Sequence, residues 1–158
     1  MMTEISLNVL DVSENSTRAG ASLVTILVTA DTSADKLTIA IADNGCGMTP
    51  EQTAHVTDPF FTTRTTRKVG LGIPFFKYAA ESTGGSFHIE SEPGKGTTVT
   101  AVFGLSHIDR MPLGDMNATI HNLIVYHPDT DFLYTYTYNR SEEHTSELQS
   151  PQNLVFRL

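Results

Sequence analysis

A carboxylate followed by two closely spaced glycines occupies residues 43–48, with the sequence DNGCGM. Glycine lets the backbone turn sharply and lets a ligand come close to the main chain. A carboxylate such as Asp43, held at the mouth of such a turn, can accept a hydrogen bond from an amino group of that ligand. Asp-Asn-Gly also forms ordinary turns, so this stretch alone leaves a plain turn open as well as a binding loop.

A second pair of polar residues, Asp11 and Asn15, lies one helical turn apart near the start of the chain. Residues 4–18 predict an amphipathic helix that places Ile5, Val9 and Val12 on one face. The opposite face carries Glu4, Asn8, Asp11, Asn15 and Arg18. Such a polar stripe ordinarily faces water. Asp11 and Asn15 can also face a common ligand, since they project from the same side of the helix.

A hydroxyl-rich, basic segment over residues 62–68 has no periodicity and carries three cations, Arg64, Arg67 and Lys68. One interpretation is a solvated loop, the usual fate of such a charge run. The other is a lid whose hydroxyls and cations close over phosphate groups. Gly70 and Gly72 follow it and open the next predicted helix, whose free N–H groups suit an anion, so we favour the lid.

Alternating apolar residues predict the elements that hold these groups in place. The run over residues 37–42 predicts a strand that ends directly at Asp43, with a hairpin partner over residues 22–30. Further elements are predicted in chain order: a short helix capped by Thr49, a helix over 73–83, a hairpin of strands over 86–91 and 97–105, a helix over 111–126 and a strand over 132–138.

Five segments resemble, in register, the sequence boxes of the GHKL ATPases. That superfamily contains gyrase-type topoisomerases, ninety-kilodalton heat-shock chaperones, histidine kinases and mismatch-repair ATPases. DVSENSTRAGA (residues 11–21) resembles the asparagine box, DNGCGM (43–48) the first glycine box and DPFFTTR (58–64) the phenylalanine box of histidine kinases. GLGI (70–73) resembles the second glycine box, and GKGTT (94–98) the last.

The resemblance covers about residues 1–105 and implies both a fold and a function. The fold is an α/β (α+β) two-layer sandwich of the Bergerat type, a mixed and mostly antiparallel sheet with helices on one face. The function is Mg²⁺-dependent ATP binding, most like the catalytic domain of a histidine kinase that acts with a partner protein. Two alternatives stay open: a serine kinase that restrains a transcription factor, as anti-sigma kinases do, and a non-catalytic module that responds to ATP.

The resemblance also assigns roles to residues. Asn15 matches the magnesium ligand, and Asp43 the carboxylate that reads the adenine amino group. Asp11 matches the catalytic carboxylate, which is usually glutamate; aspartate is one methylene shorter, so we expect nucleotide binding to survive and hydrolysis to be slow. The other expected ATP-binding residues are Gly45, Gly47, Met48, Phe60, Thr63, Arg64, Thr65, Arg67, Lys68, Gly70, Leu71, Gly72 and Thr97. Thr97 can equally be an ordinary strand threonine.

Composition limits the class of protein. The formal net charge of −8 over 158 residues argues against a nucleic-acid-binding or anionic-membrane-binding surface. The longest apolar stretch, around residues 23–30, is too short to span a bilayer. A single cysteine, Cys46, excludes an internal disulfide framework. With no basic-then-apolar leader at the start of the sequence, we expect a cytoplasmic protein.

We divide the chain into an ATP-binding domain over residues 1–105, an extension over 106–139 and a tail over 140–158. Residues 106–113 partly match the phospho-acceptor box of histidine kinases around His107, with the acidic residue one place late. His107 is therefore either an acceptor or a linker histidine, and we favour the linker. Residues 140–150 resemble the in-frame translation of a sequencing adapter, so we expect a non-biological tail and a natural chain cut off within a strand.

Overall fold

A mixed β-sheet forms one layer of the protein. The computed structural model describes residues 4–58, 72–139 and 152–156. The strands are β1 (Leu23–Asp31), β2 (Lys36–Asp43), β3 (Ser86–Glu92), β4 (Gly96–Gly104), β5 (Asp131–Asn139) and β6 (Gln152–Phe156). Their order in the sheet is β3-β4-β2-β1-β5-β6. Neighbouring strands are antiparallel except for β1 and β5, which are parallel.

Helices cover one face of this sheet. They are α1 (Ile5–Arg18), α2 (Pro50–Val56), α3 (Gly72–Glu81) and α4 (Met116–Tyr126). Along β1, Val24, Ile26 and Val28 are fully buried, whereas Leu23 and Leu27 are 41% and 42% exposed. Alternate side chains point to opposite faces of a strand, so the buried set faces the helices and the other set faces outward. The predicted two-layer sandwich is confirmed.

The central position of β2 brings distant parts of the sequence together at one end of the sheet. Asp43, the last residue of β2, lies opposite Val24 of β1 and Thr97 of β4. At the other end of the strand, Lys36 lies opposite Asp31 and Gly104. The DNGCGM turn therefore leaves the sheet between the start of β1 and the start of β4.

Helix α1 is more deeply buried than its amphipathic pattern predicts. Ile5, Val9 and Val12 pack into the core as expected. Asn8, on the predicted polar face, is 0% exposed, because α3 and α4 pack alongside α1. The prediction of a solvent-facing or ligand-facing stripe is therefore wrong for Asn8. Neither the nitrogen nor the oxygen of its side-chain amide has a hydrogen-bond partner in the described part of the chain.

Residues 106–139 contribute to the same core as the rest of the chain. Ile120 and Leu123 of α4 and Phe132 of β5 are fully buried. The predicted start of α4 at Met111 is wrong, because the helix begins at Met116 with the side chain of Asp115 accepting a hydrogen bond from the N–H of Ala118. The preceding residues run alongside the start of α1, where the carbonyls of Pro112 and Leu113 accept from the N–H groups of Ile5 and Ser6.

The C-terminal strand β6 pairs with the outer edge of β5 through residues 152–156, with Phe132 opposite Phe156. Residues 140–151 and 157–158 lie outside the described part of the chain. The three proposed divisions of the chain, and the foreign origin of residues 140–158, stay predictions.

The buried amide of Asn8 leads to a prediction about stability. Leucine has the branched shape of asparagine and a similar size, so it can take the place of the buried Asn8 side chain. We expect Asn8→Leu to raise the free energy of unfolding by about 1 kcal/mol, since it removes a buried amide without partners. Urea denaturation measures this change. Asn122→Leu, on the exposed side of α4, is the control and should change stability by less than about 0.5 kcal/mol. A loss of stability in Asn8→Leu would contradict the prediction.

Candidate functional site

A cavity of about 230 Å³ lies between α1 and the ends of β2 and β4. Its walls are mostly apolar and include Val12, Ile41 and Val99. A few polar groups converge on it, a combination typical of small-molecule sites. The complete lining is Val12, Asn15, Ser16, Arg18, Ala19, Ile41, Asp43, Gly47, Met48, Val56, Ile73, Thr97 and Val99. The structure thus brings together five of the predicted site residues: Asn15, Asp43, Gly47, Met48 and Thr97.

The carboxylate of Asp43 is held by two donors. Its Oδ1 accepts from the backbone N–H of Gly45 at 2.9 Å, and its Oδ2 accepts from Oγ of Ser16 at 2.7 Å. A carboxylate oxygen accepts about two hydrogen bonds, so each oxygen keeps acceptor capacity for a ligand. Sequence reasoning missed Ser16, which is 4% exposed. No local pattern indicates it, because its partner lies 27 residues away and is brought near by packing of the helix on the sheet.

Thr97 takes part in a hydrogen-bond network at the start of β4. Oγ of Ser91 accepts from the N–H of Met48 at 2.8 Å and donates to the carbonyl of Gly96 at 3.1 Å. The hydroxyls of Thr97 and Ser91 are 2.7 Å apart. Because the Ser91 hydroxyl donates its proton to the carbonyl of Gly96, it accepts a hydrogen bond from the hydroxyl of Thr97. The Thr97 oxygen is then free to accept from a ligand. Thr97 therefore both ties the hairpin to the Met48 loop and lines the cavity.

The box glycines are required by contacts within the protein. Gly47 has φ +72°, and a Cβ there would collide with the carbonyl oxygen of Glu92. A Cβ at Gly72 would lie 2.8 Å from Cβ of Asp11, closer than two carbon atoms can pack. A Cβ at Gly45, which is buried, would lie 2.9 Å from Cβ of Ala19. Gly45 and Gly72 are not among the residues that line the cavity, and close approach of a ligand to any of these glycines stays a prediction.

Asp11 lies beside the cavity rather than on its wall, against Gly72 at the start of α3. Burial raises the pKa of the Asp11 carboxyl above its ordinary value of 3.8, and the charge of Glu14 raises it further. The guanidinium of Arg18 offsets part of this increase in pKa. A carboxyl that holds its proton more tightly is a candidate for acid–base chemistry, although a structural carboxyl can have the same property.

Asn15 has the donor atom that the predicted magnesium site needs. Its Oδ1 accepts from Nη1 of Arg18 at 2.7 Å, and its Nδ2 is buried without a partner among the described residues. An amide oxygen on the wall of the cavity fits Mg²⁺, which usually takes few protein ligands and completes its shell with water and phosphate oxygens. The guanidinium of Arg18 must leave Oδ1 before a cation can bind there.

The remaining predicted ATP-binding residues are Phe60, Thr63, Arg64, Thr65, Arg67, Lys68, Gly70 and Leu71, which lie outside the described part of the chain.

His107 lies at the opposite end of the sheet from the cavity. Thr97 faces Asp43 at one end of β4, whereas His107 follows Gly104 at the other end. Gly104 lies seven residues along β4 from Thr97, a distance of roughly 23 Å. Nδ1 of His107 accepts from the N–H of Asp109 at 3.0 Å within its own turn. This placement favours the linker histidine over transfer of phosphate to His107 within the same chain.

Comparison with known proteins identifies related sequences. The model of the family described as histidine kinase-, DNA gyrase B- and HSP90-like ATPase matches residues 1–107. A putative sensor protein of Shewanella frigidimarina is 38% identical over 72 residues, which cover 45% of this chain and 11% of that protein. Sensor protein SrrB of Staphylococcus aureus is 33% identical over 102 residues, or 61% of this chain and 17% of SrrB. The chain therefore spans less than a fifth of either relative.

A solved structure shares the fold. It is described as the crystal structure of the N-terminal domain of a DNA repair protein and has a TM-score of 0.62 at 14% identity. The match covers 99% of this chain and 54% of that chain. At this level of identity the likeness concerns the fold alone. Within the described residues, none of the helices combines the length and the apolar character that a membrane crossing requires.

The raised pKa of Asp11 predicts a pH dependence of stability. Between 3.8 and the higher pKa of the folded state, the folded chain binds more protons at Asp11 than the unfolded chain. Stability therefore falls as pH rises through this window, and above it the charged carboxylate remains a penalty. We expect Asp11→Asn to melt at a higher temperature than the unmodified chain at pH 7, and the difference to disappear by pH 3. Asp129→Asn, on an exposed turn, controls for net charge; a gain at pH 3 as large as at pH 7 would contradict the prediction.

Proposed function

The chain belongs to the histidine kinase-, DNA gyrase B- and HSP90-like ATPase family, and on that premise we propose that it binds ATP with Mg²⁺ as the catalytic domain of a histidine-kinase-type protein. Its phosphoryl acceptor belongs to a partner protein. The sensor proteins among its relatives support this choice within the family. The observation that carries the proposal is the Asp43 carboxylate, held by two donors in a mostly apolar cavity.

The cavity suits a flat base that carries an amino group. Ile41 of β2 and Val99 of β4 form its sheet side, and Val12 lies on its helix side. The carboxylate of Asp43 and the oxygen of Thr97 face the base edge as acceptors. An exocyclic amino group, as in adenine, donates hydrogen bonds to these protein acceptors. A carbonyl at the same position is itself an acceptor, so it leaves two acceptors facing each other. This arrangement favours ATP over a 6-oxo purine nucleotide such as inosine triphosphate.

Asn15 and Arg18 suit the phosphate end. Asn15 would hold Mg²⁺ through Oδ1, and the metal would neutralise charge on the phosphates. Arg18 lines the cavity, and once displaced from Asn15 its guanidinium is free to donate to phosphate oxygens, which it does well because of its planar set of donors. Arg64, Thr65, Arg67 and Lys68 supply further donors if the segment that contains them acts as a lid.

Asp11 is the candidate general base, and its position supports slow chemistry. Its side chain is short, packs against Gly72 and does not reach the cavity wall. Burial raises the pKa of this carboxyl, which makes the carboxylate a stronger base, but the side chain lies outside the cavity lining. The short reach disfavours activation of water and favours either transfer to a positioned acceptor or no chemistry at all. It is the specific observation that favours the second candidate, a module that binds ATP and responds to it without catalysis.

Replacement of the base-reading carboxylate tests nucleotide binding. In Asp43→Asn the amide oxygen can keep the Gly45 N–H bond, while Nδ2 replaces the second acceptor. We expect calorimetry to show ATP affinity at least about tenfold lower, because a charge-assisted hydrogen bond is lost. The affinity for inosine triphosphate should change less. Asp115→Asn is the control, because it removes the same charge at a helix cap that asparagine serves equally well. Unchanged ATP affinity in Asp43→Asn would reject the assignment.

Two substitutions in α1 separate chemistry from binding. The unmodified chain should bind Mg-ATP yet hydrolyse it very slowly. Asp11→Glu extends the carboxylate by one methylene and should raise hydrolysis, since general-base catalysis contributes about 10²–10⁴-fold once the geometry is met. Asn15→Ala should instead weaken Mg-ATP binding, because the metal loses a protein ligand. A coupled phosphate-release assay and calorimetry measure the two effects. Brisk hydrolysis by the unmodified chain that Asp11→Asn leaves intact would show that Asp11 is not the base.

A further inference from the structure

Asn44, the residue after Asp43, makes three side-chain hydrogen bonds although it is exposed. Its Oδ1 accepts from the backbone N–H groups of Ser22 at 2.9 Å and of Leu23 at 3.0 Å. Its Nδ2 donates to Oγ of Ser22 at 2.9 Å. One side chain therefore joins the beginning of the glycine turn to the beginning of β1.

These bonds continue the β1–β2 ladder beyond the point where the backbone of β2 leaves it. The last backbone pair places Asp43 opposite Val24. At Asn44 the chain turns toward Gly45, and the side chain of Asn44 takes over the N–H groups that precede Val24. The side chain of Asn44 thus caps the β1 side of the ladder at the point where β2 ends.

The start of β1, to which Asn44 is hydrogen-bonded, also makes hydrogen bonds on its other side. The carbonyl of Ser22 accepts from the N–H of Asp131 at 2.8 Å, where β5 begins. The carbonyl of Ala21 accepts from Oγ1 of Thr130 at 3.1 Å, and Thr130 is buried. The start of β1 is therefore a firm anchor between β5 and the glycine turn.

We propose that Asn44 is a positioning residue for base recognition, and the inference rests on the proposed ATP-binding function. Asn44 fixes the backbone direction into Gly45, whose N–H holds Oδ1 of Asp43. Hydrogen-bond strength falls steeply with poor angles. Without the Asn44 bonds the Asp43 carboxylate keeps its charge and its hydrogen bond from Ser16, but the Gly45 N–H no longer holds Oδ1 in one direction. Discrimination between an amino group and a carbonyl on the base therefore declines.

Three variants test this role by calorimetry with ATP and with inosine triphosphate. Asn44→Ala should lower ATP affinity about fivefold and inosine triphosphate affinity less than about twofold, so that the preference for ATP shrinks. Asn44→Asp keeps oxygen acceptors for both N–H groups and for a reoriented Ser22 hydroxyl, and should retain the preference. Asp43→Asn combined with Asn44→Ala should show no further loss of preference beyond Asp43→Asn alone.

Asp31→Ala is the matched control. Asp31 lies at the far end of the same strand pair, and its Oδ1 accepts three hydrogen bonds, from N and Oγ of Ser33 and from N of Ala34. Its loss should lower the melting temperature and leave the ATP preference intact, which separates positioning from stability. If Asn44→Ala does not fold, Ser22→Ala removes one of the three bonds and should reduce the preference in the same direction.

The outcomes distinguish this inference from the function on which it depends. A preference for ATP in the unmodified chain that Asn44→Ala leaves unchanged overturns the role of Asn44 and leaves the proposed function standing. Failure of the unmodified chain to bind ATP overturns both. An equal loss of preference in Asp31→Ala and Asn44→Ala shows that general loosening of the strand pair is responsible, and also overturns the positioning role.

Discussion

The hydrogen bond between Ser16 and Asp43 joins the two layers of the protein at the candidate site. Ser16 belongs to α1 and Asp43 ends β2, so the 2.7 Å contact holds the helix layer against the sheet at the place where the cavity opens. Hydrogen bonds to a charged acceptor are stronger than neutral ones. The position of the carboxylate therefore depends on the packing of α1, and that packing depends on the core beneath it.

Packing in that core buries polar side chains of α1. The helix packs on the sheet, on α3 and on α4, so polar residues on several of its sides are removed from water. The side-chain amide of Asn8, the hydroxyl of Ser13 and the Nδ2 of Asn15 have no hydrogen-bond partners within the described ranges. Buried polar groups without partners destabilise a fold. Proteins retain such groups where function requires them, and Asn15, on the cavity wall, fits that explanation; Asn8 does not line this cavity.

The segment beyond the family match takes part in holding the site. β5 is parallel to β1 and begins where Asp131 donates to Ser22. The side chains of His127 and Glu14 meet at 2.9 Å, which ties the end of α4 to the middle of α1. Both contacts reach elements that border the glycine turn or carry Asn15. Residues 106–139 thus support the geometry of the elements that form the candidate site, in addition to enlarging the core.

Local sequence patterns determined the strands of both hairpins, the capped helix at Thr49, and the placement of Asp43 at a strand end. These features follow from periodicity and turn chemistry within short windows, so neighbouring residues suffice to predict them. The order of the boxes likewise predicted the family. Tertiary structure decided three other features: the burial of Asn8, the hydrogen bond between Ser16 and Asp43, and the hydrogen bonds between Asn44 and Ser22. Each of these features involves residues from different elements. The parallel pairing of β5 with β1 could not be predicted either, because the sequence of neither strand indicates which strand it pairs with. Such contacts form when a helix packs on a sheet and when strands pair with one another. Both steps depend on the whole core rather than on any local stretch of the sequence.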